Sequence, residues 1–68
     1  MTYKLFDKVE LLRDSAEVPE LRADAQGFVV HVLKPDGLMV EFPDESRPGY
    51  TIDVLTLYSR DVKLVRGQ

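Results

Sequence analysis

GFVVHVLKPDGLMVEFPDE, residues 27 to 45, sets two apolar runs on either side of one tight turn. Phe28-Val29-Val30-His31-Val32-Leu33 is rich in β-branched residues, which favour strand over helix. Apolar residues fall on both faces at its start. The strand is therefore expected at the centre of a sheet, or with a bulge that re-aims one side chain. Pro35-Asp36-Gly37 is the strongest local signal in the chain: proline presets φ, aspartate bonds its own backbone, and the glycine is expected to take a positive φ. Such a turn joins two antiparallel strands. In the second of them Leu38, Val40 and Phe42 share one face, and Met39 and Glu41 the other. Pro43 ends regular pairing because it cannot donate to a ladder.

On the N-terminal side, Lys8-Val9-Glu10-Leu11 alternates polar and apolar, with Leu5 in phase, and predicts a strand with one buried face. Leu12 breaks the alternation, which predicts a strand end covered on both sides or bulged. RDSAEVPELRADAQ, residues 13 to 26, is acidic and rich in small residues, and Pro19 interrupts any helix through it. It predicts a long, extended excursion with at most one helical turn, pinned inward by Val18 and Leu21. A loop of this length in so small a domain is functional or mobile as a rule.

On the C-terminal side, Asp44 to Gly49 is a polar turn with two breakers, Pro48 and Gly49. Tyr50 to Val54 alternates again and predicts a fourth strand. Leu55 to Asp61 is too short for a stable helix and fits a single 3₁₀ turn. Val62 to Val65 predicts a fifth short strand, and Arg66-Gly67-Gln68 is expected to fray. The four glycines read as turn and bulge positions. The sum is all-β: a small five-stranded SH3-like barrel with a long first loop and a one-turn 3₁₀ helix before the last strand. Curling a short sheet on itself lets few residues enclose a core and limits exposed edges.

Sixty-eight residues make one domain, residues 1–68, and a chain this short buries only about 60% of the surface its unfolded form exposes. With 44% hydrophobic and 31% charged residues, it reads as a soluble globular domain and not as a disordered one. No cysteine is present, which excludes disulfides, thiolate metal sites and a cysteine nucleophile, and fits a reducing, cytoplasmic compartment. The opening MTYKLFDKVELLRD lacks the apolar core of a signal peptide, and no run approaches the roughly 20 apolar residues of a membrane span. A net charge of −3 opposes general attraction to nucleic acid or anionic lipid.

LFDKVELL, the acidic loop, QGFVVHVL-turn-LMVEF and YTIDVLTLYSRDVKLV together resemble a bacterial family of very small proteins known as a domain of unknown function. The matching elements are Val9 to Leu11, Gly27 to Val32, Val40 to Phe42 and Leu55 to Leu57. The resemblance spans nearly the whole chain and implies an SH3-like barrel. It rests on core and turn residues, so it speaks to fold more than to function, and it permits a role as the small partner of a toxin-like or enzyme subunit. His31 departs from the pattern, where an acidic residue is more usual. The Gly-x-Val pattern is also similar to the barrels of ribosomal and transcription-factor RNA-binding modules and of the nitrile hydratase β subunit.

No catalytic constellation emerges. His31 is the sole histidine and has no second ligand at metal-binding spacing, so it reads as an outward-facing strand residue. Asp44 and Glu45 are adjacent and diverge if extended, so they read as a solvated turn. Most of the phenylalanines are expected in the core, which leaves little for an aromatic peptide groove, and Tyr50 is expected in cross-strand packing. Glu17, Glu20 and Asp24 could form an acidic patch for a basic partner, although solubility and edge protection explain them as well. The expectation is a non-catalytic protein-interaction module, a small accessory or regulatory subunit without cofactor or metal. Its candidate surfaces are the loop residues Glu17, Glu20 and Asp24, and His31 and Met39 on the central strands. The alternative is a nucleic-acid-binding barrel of the ribosomal type, using Arg60, Lys63 and Arg66. Homodimerisation through an open sheet edge is compatible with both.

Overall fold

The computed structural model describes residues 3–65. Five strands, β1 (Lys8–Leu11), β2 (Gln26–Leu33), β3 (Gly37–Pro43), β4 (Thr51–Tyr58) and β5 (Val62–Leu64), form one antiparallel sheet. Their order is β4-β3-β2-β1-β5, and a 3₁₀ turn at Ser59–Asp61 precedes β5. The apolar run of residues 28 to 33 is thus the central strand. It is bulged as well: the register with β3 shifts between Val29 and His31, leaving Val30 unmatched. A second shift, between Phe42 and Pro43, sits where β3 meets the start of β4.

Val9, Leu11, Val29, Leu38, Val40, Phe42, Leu55 and Val62 are buried in one cluster, closed at its ends by Tyr3 and by Leu21 from the long loop. Leu55 and Val62 come from the two edge strands, so the sheet must curl to bring both onto one core. Bulges increase local twist and permit that curl. No ladder joins β4 to β5 among the described residues, and the sheet stays open there.

Gly27 lies inside β2, opposite Val9, and is neither a turn nor a bulge residue. A Cβ at this position would stand 2.6 Å from the Glu41 carbonyl oxygen and 2.8 Å from a Val40 methyl, so the close approach of β3 requires glycine. Gly37 does not take a positive φ; it begins β3 and pairs with Leu33, while among the described residues the glycine with a positive φ is Gly49 in the next turn, at 89°.

Several sequence expectations need correction. β4 continues through Leu57 and Tyr58, because Leu55 and Leu57 find ladder partners in Val40 and Leu38 that the local sequence does not reveal. Leu5 is not in strand phase: it sits in a turn with Phe6, half exposed, and Leu12 is exposed instead of covered. Of the three phenylalanines only Phe42 is buried; Phe6 is 75% exposed at a φ of 70°, a left-handed conformation that bulky side chains rarely adopt. Tyr50 precedes β4 and stacks under Arg47, whose guanidinium carbon lies 4.2 Å from the ring centre, instead of packing across strands.

Candidate functional site

The long connection between β1 and β2 is held by its own short polar residues. Ser15 Oγ accepts from the backbone N–H groups of Glu17 (3.2 Å) and Val18 (3.1 Å), and Asp14 Oδ1 accepts from Ala23 N–H at 2.8 Å, nine residues on. Such local bonds let Ser and Asp shape a loop without a helix. The base is closed by Leu11 N–H to Ala25 O and Asp24 N–H to Leu11 O, both 2.9 Å. Asp24 sits at φ 77°, a region that aspartate tolerates better than most residues. With Leu21 buried beneath, the loop is anchored to the core.

That anchoring forms one wall of a cleft of about 440 Å³. Glu20, Leu21, Asp24 and Ala25 come from the loop; Phe42 and Pro43 from the end of β3; Asp44, Glu45 and Ser46 from the following turn; and Ile52 from β4. The turn is itself tied: Asp44 Oδ1 accepts from Ser46 N–H and Oγ, and Asp44 N–H donates to Tyr50 O at 2.9 Å. Leu21 and Phe42, both nearly fully buried, underlie the cleft and Ile52 supplies its exposed apolar surface; four acidic residues, Glu20, Asp24, Asp44 and Glu45, line it without any lysine or arginine. Among the described residues no three acidic or histidine side chains are placed to share a metal ion. The arrangement suits an extended cation with an apolar stem, such as a lysine or arginine side chain lying against Ile52 with its head among the carboxylates. Each exposed ion pair contributes only about 0–1 kcal/mol. One such side chain therefore binds weakly, and useful affinity needs several contacts in sequence.

The residues singled out from sequence are divided by the fold. Glu20 and Asp24 share the cleft, whereas Glu17 lies on the wall of a separate slot beside β4. Asp44 and Glu45, taken from sequence as a solvated turn, join the cleft. His31 and Met39 face each other across β2 and β3, and Met39 in turn faces Thr56 on β4. They form a row on the outer face of the sheet, beside the row Phe28, Glu41 and Val54. Of the three candidate nucleic-acid contacts, Arg60 stacks 4.4 Å from the centre of the Tyr58 ring and Lys63 pairs with Glu10 at 3.6 Å. Arg66 lies outside the described residues. No helix among the described residues is long and apolar enough to cross a membrane.

A family model matches residues 5–64, from the turn before β1 to the end of β5. The chain belongs to DUF4926, a domain of unknown function. Both walls of the acidic cleft lie within the DUF4926 match, as does the slot beside β4. No curated protein and no solved structure matches the chain.

Proposed function

We propose that this DUF4926 domain is a non-catalytic protein-interaction module, a small accessory or regulatory subunit that receives a basic segment of its partner in the acidic cleft. The observation that carries the reading is the cleft itself: four acidic residues around the exposed surface of Ile52, with no lysine or arginine in its lining to neutralise them. The bonds from Ala23 N–H to Asp14, from Leu21 N–H to Val18 O and from Asp24 N–H to Leu11 O support the reading further, because a preformed wall spares the ordering cost of binding. The strand order, the long first loop and the 3₁₀ turn before β5 support an SH3-like barrel as the scaffold. The lack of cysteine suits work in the cytoplasm.

The test is titration of the ¹⁵N-labelled domain with a short lysine- and arginine-rich peptide at low and at physiological salt. Saturable shifts at Glu20, Asp24, Asp44 and Glu45 are expected, weakening as salt screens the pairs. The double reversal Glu20→Lys, Asp44→Lys is expected to remove them. An unchanged spectrum at millimolar peptide overturns the reading. Saturable binding of a structured RNA at Arg60 and Lys63 would replace it with the nucleic-acid alternative.

A further inference from the structure

β4 is an edge strand, and its outward backbone groups are not left alike. Ser59 N–H donates to Asp36 O at 2.8 Å, continuing the β3–β4 ladder past Gly37 and Tyr58. Antiparallel pairing alternates, so Asp53, Leu55 and Leu57 direct N–H and C=O toward β3, while Val54, Thr56 and Tyr58 direct theirs away. Two of those three outward donors are taken. Val54 N–H donates to Asp53 Oδ1 at 2.7 Å, and Tyr58 N–H donates to Asp61 Oδ2 at 2.9 Å. The Thr56 N–H between them has no partner among the described residues. Carboxylates on an edge strand are a common guard against unwanted pairing; here the guard is interrupted at one residue.

The interruption faces a cavity. A slot of about 280 Å³ runs over Leu55, Thr56 and Leu57, with Leu11 and Asp61 beside them and residues 13–17 of the long loop as the far wall. That wall is the part of the loop braced by Ser15 Oγ and Asp14 Oδ1. Loop residues 13–17 and the Thr56 edge thus face one another across the slot. Its lining carries Asp14, Glu17 and Asp61 against Arg13 alone. Asp14 and Asp61 already accept backbone N–H groups, whereas no hydrogen bond or ion pair engages the Glu17 carboxylate among the described residues.

We infer that the β4 edge at Thr56 receives a single extended segment of a partner polypeptide, in which a basic residue alternates with apolar ones. The segment adds one strand: its backbone exchanges hydrogen bonds with Thr56, its apolar side chains lie beside Leu55 and Leu57, and its cation meets Glu17. Main-chain bonds supply the attachment and the alternating side chains the selectivity. The inference does not depend on the acidic cleft, which is built from other residues.

The probe is the capped peptide acetyl-Val-Lys-Val-Lys-Val-amide, titrated into the ¹⁵N-labelled domain, with a control peptide N-methylated at both lysines. Saturable movement of the Thr56 amide, with slowed hydrogen exchange at that amide, is expected. At least a tenfold loss of affinity for the N-methylated peptide is also expected, and this comparison needs no protein variant to fold. Glu17→Lys should weaken the unmethylated peptide about threefold or more and leave binding at the cleft untouched. Equal affinity for the two peptides overturns the inference, as do shifts confined to Glu20, Asp24, Asp44 and Glu45. A Thr56 amide already protected by self-association of the free domain overturns it as well.

Discussion

β3 and β4 lie side by side, and each contributes alternating apolar residues, yet they have different fates. In β3 every second residue, Leu38, Val40 and Phe42, is buried; in β4 only Leu55 is. Both strands meet the same neighbour, each other, but β3 has β2 on its far side and β4 has none. A period of two says which residues share a face and is silent on whether anything covers that face. In this pair the strand with a neighbour on both sides is the buried one, and the strand with one neighbour keeps an open outer border.

The comparison is most exposed to substitution at its deepest point. Phe42→Ala is expected to cost about 3–5 kcal/mol, because it empties the centre of the core. That is a large share of the roughly 5–15 kcal/mol of a typical domain, and urea denaturation should show a mostly unfolded chain under mild conditions. Next comes Gly27→Ala, which drives a methyl onto the rigid Glu41 carbonyl and is expected toward the upper end of the roughly 1–3 kcal/mol typical of overpacking.

A matched pair sharpens the contrast. Val40 is fully buried and Val54 is 42% exposed, one strand apart. Val40→Ala should cost about 2 kcal/mol from lost burial and the cavity left behind. Val54→Ala should stay within about 0.5 kcal/mol. Equal losses in thermal melts would mean that the outer face of β4 is covered in solution. Between these values lies Asp61→Ala, which removes the acceptor of Tyr58 N–H; by analogy with other lost caps it should cost about 1 kcal/mol and speed exchange at that amide.

The inner half of the fold was legible because its cues are local. The Pro35-Asp36-Gly37 turn separates two apolar runs, and the alternation of Leu38, Val40 and Phe42 states its own buried face. The far half of β4 was not, since Leu55-Thr56-Leu57-Tyr58 becomes strand only by pairing with Gly37 to Val40, an interaction across sequence. The acidic cleft failed in the same way. Glu20 and Asp24 stood out as charges on a long loop, but nothing near Asp44 and Glu45 reports that the β3–β4 turn folds up against that loop. Glu17 looked like their companion and faces a different slot, because the chain turns at Pro19 and Glu20, closed by Leu21 N–H to Val18 O.

Where the strands begin and end has one more implication. Val65 N–H donates to the Lys8 carbonyl at 2.8 Å and Tyr3 Oη to the Val62 carbonyl at 3.4 Å, so the first and last described segments are laced together along one border. Neighbouring strands stand roughly 5 Å apart, so a pull on either segment loads the other at once, and the unit would yield to force at that border as one piece and not strand by strand.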